Sequence, residues 1–333
     1  MRVTVLGAGQ MGTAFGAPLL ERGHRVTYWG PDWLDTERLE ALAAGRPHPD
    51  LGAALPGTPA LATTDLEAAL EGAELCAFAV ASEGIGWVAE RAAEATAHDV
   101  PVVLFTKGFD ERDGRIAPMN RLLERVFGPE RPVVGVGGPV KAAELIRGVP
   151  TSTVFASGSL EHARMLAEAV STPYYFPSTT DDLVGTEVCA GLKNPYAIAV
   201  NLLTGREGES NLRALAFGAA LGEMHAFVVA AGGRPETVAG AAGSGDLYVT
   251  CLTGRNGDFG RLLNEGHSPE EAKRLMNDAT VEGLGALPPA LKLAGSLGLD
   301  EGRLPLLYYL DAVLRGETDE NAPLARIVAR GVG

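Results

Sequence analysis

Apolar positions in the first half of the chain come as short continuous runs separated by amphipathic stretches. The runs Val3–Leu6, Val26–Trp29, Leu75–Val80, Val102–Thr106, Val133–Val136, Ser152–Phe155 and Tyr174–Phe176 read as strands. Most lack the alternation of a strand with one wet face, which predicts a sheet covered by helices on both sides. Between them the spacing predicts helices over Met11–Arg22, Asp65–Leu70, Ile85–Ala97, Pro118–Phe127 and Glu161–Ala169. Strands alternating with helices give a mostly parallel sheet with crossover helices. After about Asp182 the texture changes to Ala/Leu-rich segments of helical period. These are Glu187–Leu203, Asn211–Ala231, Arg234–Ala239, Asp258–Asn264, Pro269–Met276, Pro288–Ser296 and a last helix near Pro305–Arg315. One start is clear: Ser268-Pro269-Glu270-Glu271 offers a hydroxyl cap, proline at the first helical position and glutamate at the reciprocal position. The expected organisation is an α/β domain over 1–185 and an all-helical domain over 186–333.

Composition narrows the classes. The chain has 333 residues, enough for about two domains. It carries 28 Lys+Arg against 42 Asp+Glu, a formal charge of −14. Such a chain lacks the basic face that nucleic acid requires. With 46% hydrophobic and 21% charged residues it has the means to bury a core. No apolar run approaches the ~18 residues of a membrane span, and Met1–Leu6 runs into a core strand without a secretory hydrophobic region. The expectation is a cytoplasmic protein. Cys76, Cys189 and Cys251 are odd in number, far apart and in apolar contexts, as reduced core thiols would be. The six histidines (His24, His48, His98, His162, His225, His267) form no i, i+4 pair, so no metal site is expected. His225 reads as helix packing, and Glu207–Ser210 as a solvated loop before a helix cap.

Six patterns carry chemistry. Gly7-Ala8-Gly9-Gln10-Met11-Gly12 follows a strand and opens a helix. The first glycine permits a tight turn, the second lets the backbone approach a pyrophosphate, and the third lets helix and strand pack closely. The helix N-terminus adds amide donors and partial positive charge. At the end of the second strand, Tyr28-Trp29-Gly30-Pro31-Asp32-Trp33 offers no Lys or Arg until Arg38 to hold a 2′-phosphate, which leans toward NAD over NADP. Asp32 serves equally as a ribose ligand or as a cap for the next helix. Lys193, in Gly191-Leu192-Lys193-Asn194, lies on an apolar helix. It must either snorkel or be paired, and when paired it suits a general acid or base. Asp246, bracketed by Gly245 and Leu247, either orients such a lysine or caps a helix. Arg255, in Thr253-Gly254-Arg255-Asn256, stands before a helix, either as part of a phosphate cradle or as a solvated side chain. Lys107 falls at the C-terminal end of a strand, the edge where ligands bind in open α/β folds, or is a solvated loop lysine.

In order and spacing these residues make the chain resemble the NAD(P)-dependent glycerol-3-phosphate dehydrogenases over nearly its full length. The resemblance rests on the glycine loop with Gly12-Thr13-Ala14, Thr106-Lys107-Gly108, Gly138-Pro139, Gly191-Leu192-Lys193-Asn194, Gly245-Asp246-Leu247, Thr250-Cys251, Arg255-Asn256 and Val281-Glu282-Gly283. It implies a Rossmann-like domain followed by a helical one, and hydride exchange between nicotinamide C4 and C2 of dihydroxyacetone phosphate or sn-glycerol 3-phosphate. It also implies a supply of glycerol phosphate for phospholipid synthesis, and a homodimer. By that resemblance Lys193 is the proton donor or acceptor at the C2 oxygen and Asp246 positions it. Lys107 and Asn194 line the polar site, and Arg255 and Asn256 hold the substrate phosphate. Gly138, Thr250 and Gly254 complete the substrate set. Gly7, Gly9, Gln10, Met11, Gly12, Pro31, Lys107, Ala142, Arg255, Thr280 and Glu282 make the cofactor set. Two departures stand out. The family's Gly-Pro-Ser-Phe-Ala is here Gly138-Pro139-Val140-Lys141-Ala142, so Lys141 is expected to replace the serine contact or the substrate to differ slightly. The family's Thr-Arg-Gly is here Gly218-Ala219-Ala220.

Two other readings remain at this point. A ketopantoate-reductase-like or other 2-oxoacid reductase also joins such domains and carries a lysine; Arg255-Asn256 at a helix start favours a phosphate ester over a carboxylate. A dinucleotide-binding regulator without turnover is the third, against which stands the retention of both Lys193 and Asp246.

Overall fold

The computed structural model describes residues 1–112, 115–204 and 210–317. Two compact units result: Met1–Lys107 with Met119–Leu183, and Gly108–Pro118 with the chain from Val184 onward. A single cut at 185/186 therefore misses one exchange, because the segment 108–118 leaves the first half to join the second unit.

The strands are β1 (Arg2–Leu6), β2 (Arg25–Trp29), β3 (Leu61–Thr63), β4 (Leu75–Phe78), β5 (Val102–Leu104), β6 (Phe109–Arg112), β7 (Arg115–Pro118), β8 (Val133–Gly137), β9 (Val154–Ala156) and β10 (Ser178–Thr180). Eight of them form one sheet in the order β10-β9-β8-β5-β4-β1-β2-β3. Every pair is parallel except β8 with β9. The continuous apolar runs have the expected cause. Val3, Val5, Ala77 and Val103 pack into one core layer, while Leu6, Cys76, Phe78, Val102 and Leu104 pack into another. Side chains alternate across a strand, so a run apolar at every position serves both faces.

Several elements differ from expectation. The apolar segment Tyr174–Phe176 is no named strand; Tyr175 makes an isolated bridge with Thr151 and buries its ring, its hydroxyl 2.7 Å from Thr153 Oγ1. The edge strand is instead the polar Ser178–Thr180. Of that apolar run only Tyr175 is buried and Phe176 is exposed, whereas the ladder needs only backbone. Strand β3 was missed for the same reason, being short and partly exposed. The helix Asp32–Ala43 was missed because it buries only Asp35, Leu39, Ala41 and Leu42 and leaves Trp33 and Leu34 in solvent. Its cap is Pro31, so Asp32 does not cap it.

Among the described residues the second unit is helical apart from the ribbon β6–β7, which the all-helical expectation lacked. Phe109 of β6 joins its core, close against Gly191, and Lys292 reaches Glu111 at 2.6 Å. Long helices run over Leu183–Leu203 and Ser210–Ala230. Shorter ones follow at Pro235–Ala239, Asp246–Leu252, Arg255–Asn264, Pro269–Leu275, Glu282–Ser296 and Pro305–Leu314. The capping box at Ser268 is formed: its Oγ accepts from Glu271 N at 3.2 Å, and its own amide donates to Glu271 Oε2 at 2.9 Å. Pro288 and Pro289 are inside a helix that starts six residues before Pro288. The helix Asp246–Leu252 was anticipated only through the reading of Asp246 as a cap.

Among the described residues, Ser210–Ala230 alone has the length and mean hydropathy (1.4) to cross a membrane, a composition the run-length reading passed over. Here it lays Ala216, Ala220, Met224, Phe227 and Val228 into the core of the unit. His225, expected to pack, faces solvent. Glu223 on the same helix is buried. It accepts from the amides of Leu306 (2.5 Å) and Leu307 (3.2 Å) and from the Tyr196 hydroxyl (3.0 Å), so one carboxyl serves the orphan donors opening Pro305–Leu314. Burial raises its pKa to about 7 against the pull of those three donors. The Tyr196 hydroxyl is pushed well up by burial and by Glu223 beside it. A carboxyl raised on folding stabilises most below its unfolded value near 4.5, and that advantage fades as pH rises through about 7. Urea unfolding at pH 5 and pH 8 should therefore show a loss of about 3 kcal/mol from this group, and Glu223→Gln should flatten that difference.

Candidate active site

The glycine loop of the first unit has the geometry its sequence implies. Gly7 has φ +111°, and a Cβ there would lie 2.7 Å from the Ala79 carbonyl oxygen. A Cβ on Gly12 would collide with the Gly7 carbonyl and reach Val5 Cγ1 at 3.0 Å, which is the close helix–strand approach. Gly9 caps the helix Gln10–Glu21 without a side-chain cap bond, and a Cβ added to it would meet nothing within 4 Å. An uncapped helix start with open space before it fits a pyrophosphate.

Beside this loop, β2 ends at Trp29, whose carbonyl accepts from Gly7 N at 2.8 Å. Pro31 lies on the wall of a cavity of about 1,020 Å³ that Trp29, Trp33, Trp87 and Arg91 also line. Trp29 and Trp87 stack at 6.2 Å, Trp33 meets Trp87 edge-on at 6.3 Å, and the Arg91 guanidinium lies 4.0 Å from the centroid of the Trp87 ring. Asp32, Asp65, Glu67, Glu71 and Glu94 make the rest of the lining acidic. Arg91 was missed because it comes from the helix Ile85–Ala95, far in sequence from the β2 end where a 2′-phosphate cation was sought. Asp35, by contrast, is buried and paired with Arg38 at 2.6 Å.

Other first-unit candidates cluster at strand ends. Lys107 follows β5, next to Thr106, whose hydroxyl donates to the Val80 carbonyl at 2.7 Å. Gly138 follows β8 with φ +97°, its Cβ position 3.3 Å from Thr153 Cα. Ala142 opens the short helix Ala142–Leu145, capped by Lys141, which pairs with Glu144 at 3.8 Å. Val140 packs against the core, so the family's serine position is apolar here.

In the second unit Lys193 Nζ lies 2.5 Å from Asp246 Oδ1, with side chains 13% and 1% exposed. Of the readings open in sequence, the paired lysine is the one realised. Asp246 is brought there by a single wide turn, Ala241–Gly245, with i→i+5 bonding. That turn presses Gly243 onto the Val238 backbone, where a Cβ would lie 2.5 Å from Val238 Cα. Asp246 begins its helix but Gly245 caps it, so the carboxylate is spent on the lysine. Thr250 turns inward on its own helix, donating to the Asp246 carbonyl at 2.6 Å.

A polar chain continues from Asn194. Its Oδ1 accepts from Asn256 Nδ2 at 3.0 Å, and Asn256 Oδ1 accepts from Gly283 N at 2.8 Å. Asn256 Nδ2 also reaches Glu282 Oε2 at 3.4 Å, and Arg255 is ion-paired with Glu282. Gly254, at φ +113°, caps the helix carrying Arg255 and Asn256 without a side-chain bond. Gly283 permits the contact: its Cβ would lie 2.8 Å from the Asn194 carbonyl oxygen. Thr280 is exposed, two residues before Glu282. Of the departures, Gly218 is exposed while Ala219 and Ala220 are buried. The three cysteines are buried and form no disulfide with one another, with burial pushing Cys76 and Cys251 up to about 12. Among the described residues no three His, Cys, Asp or Glu side chains converge as metal ligands.

An α/β unit with a phosphate-type glycine loop, followed by a helical unit holding a paired lysine, defines a nicotinamide-dependent oxidoreductase. The sequence profiles agree: the N-terminal part of NAD-dependent glycerol-3-phosphate dehydrogenase matches residues 2–163 and its C-terminal part matches 182–324. The chain belongs to that family. It is 34% identical over 317 residues to the NADP(+)-dependent glycerol-3-phosphate dehydrogenase of Archaeoglobus fulgidus, covering 92% of this chain and 94% of the relative. The glycerol-3-phosphate dehydrogenase [NAD(P)+] of Stenotrophomonas maltophilia is 33% identical, with 99% and 95% covered. The crystal structure of glycerol-3-phosphate dehydrogenase from Coxiella burnetii superposes with TM-score 0.85 at 27% identity, over 98% of both chains. A ketopantoate reductase from Ralstonia eutropha shares the fold alone, with TM-score 0.61 and 18% identity over the whole of both chains.

The lysine–carboxylate pair yields a stability prediction. Asp246→Asn keeps the shape and removes the charge, and should lower the unfolding free energy by about 2 kcal/mol in urea; an unchanged midpoint would show that the pair is not a stabilising contact.

Proposed function

We propose that the chain interconverts dihydroxyacetone phosphate and sn-glycerol 3-phosphate by hydride transfer with NAD(P)(H). The observation that carries this is the Lys193–Asp246 pair joined, through the neighbouring Asn194, to the helix starts bearing Arg255, Asn256 and Glu282. The nicotinamide supplies the hydride to C2 in reduction and accepts it in oxidation. Lys193 gives its proton to the C2 oxygen as negative charge grows there, and takes it back in the reverse direction. A positioned ammonium both stabilises that charge and completes the proton transfer, worth about 10²–10⁴-fold as acid catalysis. Asp246 holds the ammonium in place. Arg255 and the amides opening its helix take the substrate phosphate, with Asn256, Asn194, Thr250 and Gly254 shaping the pocket; Lys107 and Gly138 remain the first unit's substrate-binding candidates. Because the net charge of −14 repels a phosphate dianion at long range, these local cations provide the attraction.

For the cofactor, Gly7, Gly9, Gln10, Met11 and Gly12 take the pyrophosphate. Pro31 lies on the cavity that suits the adenosine end, and Ala142, Thr280 and Glu282 complete the set. The acidic cavity lining opposes a 2′-phosphate, and the one guanidinium among its lining residues is stacked on Trp87, which favours NAD over NADP. Separate domains for dinucleotide and substrate, a cytoplasmic location and a homodimer complete the proposal. Leu215, Val229, Tyr248 and Leu252 are the exposed apolar residues that suit a second copy.

The test is oxidation of NADH and NADPH, side by side, with dihydroxyacetone phosphate, and with ketopantoate in parallel. Turnover of the triose phosphate, faster with NADH, is expected; activity only with ketopantoate overturns the substrate. Lys193→Ala should abolish turnover and leave NAD(H) binding nearly intact, and unchanged turnover would remove Lys193 as the proton donor.

A further inference from the structure

His48 belongs to none of the sets above, yet it is 1% exposed and both of its ring nitrogens are engaged. Its Nδ1 accepts the Asp50 amide at 3.1 Å, which leaves Nε2 as the ring's donor. That Nε2 donates to the Ala8 carbonyl oxygen at 2.9 Å, inside the glycine loop. The same oxygen accepts from Thr13 Oγ1 at 3.3 Å.

The consequence follows from peptide geometry. In a trans peptide the C=O of Ala8 and the N–H of Gly9 point in opposite directions. Anchoring the Ala8 oxygen on the imidazole therefore aims the Gly9 amide to the other side. Gly9 is the residue whose Cβ position is open space, and glycine alone would let this peptide rotate cheaply. The imidazole is itself held. His48 N donates to the Ala53 carbonyl at 2.9 Å, and its own carbonyl accepts from Leu51 and Gly52 at 3.1 and 2.9 Å. Arg38 grips Asp50 at 2.7 Å, and Gln10 Nε2 reaches the Asp50 carbonyl at 3.3 Å.

We propose that His48 is a positioning residue for the dinucleotide pyrophosphate, fixing the Ala8–Gly9 peptide with its amide turned to the phosphates. This rests on the reading of Gly7–Gly12 as the pyrophosphate loop. The ligand class is any adenine nucleotide with a diphosphate, and ADP and adenosine serve as probes with and without it.

The experiment measures ADP and adenosine binding by calorimetry, and NADH oxidation kinetics, for the wild type, His48→Ala, His48→Gln and Gly9→Val. For His48→Ala, ADP affinity should fall and the KM for NADH should rise, each about tenfold, the change worth one hydrogen bond. Adenosine affinity, the KM for dihydroxyacetone phosphate and kcat at saturating NADH should stay within about twofold. His48→Gln, whose amide nitrogen can occupy the Nε2 position, should recover most of the loss. Equal losses for ADP and adenosine with no recovery by glutamine would overturn the proposal, since that is the signature of local collapse. If Gly9→Val loses ADP while His48→Ala binds as the wild type does, His48 is refuted and the glycine-loop reading stands. If Gly9→Val also binds ADP normally, that reading falls, and this inference with it.

Discussion

A lysine ammonium held largely out of water is the constraint around which the second unit is arranged. Such a group is expensive to desolvate, and an opposite charge in contact is what offsets the cost. Asp246 provides it at 2.5 Å, from a helix that begins 53 residues further along the chain. Bringing those two segments together demands a tight local path. The wide turn Ala241–Gly245 and the bare α-carbon of Gly243 against Val238 supply it. Larger residues at that point would meet backbone, which has little freedom to move.

The same helix, Leu183–Leu203, collects the other polar parts by close approach. Gly260 fits against the Ile198 carbonyl and Asn201, and Gly283 against the Asn194 carbonyl. Small residues bring the starts of the helices Arg255–Asn264 and Glu282–Ser296 near Asn194, and Asn256 then links them by hydrogen bonds. Helix starts carry unsatisfied amides and partial positive charge. They gather around Asn194, the residue next in sequence to the paired lysine. In the first unit the glycine loop offers backbone alone at an uncapped helix start. Trp29 and the clasp around His48 both lie against it.

Much was legible in sequence where the signal is local. The glycine loop follows from three close-contact demands within six residues. The Ser268 capping box follows from four consecutive residues and is formed as read. Long helices in the second half showed by period, since one face of each must be apolar. Legibility failed where the deciding partner is remote or the element is weakly patterned. The helix Asp32–Ala43 buries too little to show a stripe. Strand β10 is polar while the apolar Tyr174–Phe176 beside it is no strand, because ladder pairing needs only backbone. The hairpin β6–β7 has an ordinary pattern, and nothing local says which unit it joins.

The sequence by itself determined the fold class and the glycine loop, and it singled out Lys193, Asp246 and Arg255 as candidates with a plainer reading beside each, because residue type and nearest-neighbour spacing carry that much. Tertiary structure alone decided which alternative each one takes. Lys193 is paired rather than snorkelling because Asp246 arrives beside it. Arg255 meets Glu282, Arg91 lines an aromatic cavity reached from another helix, and His48, one of six scattered histidines, hydrogen-bonds the Ala8 carbonyl of the glycine loop. A side chain's role depends on what lies within hydrogen-bond distance, and folding brings together groups that are tens of residues apart along the chain.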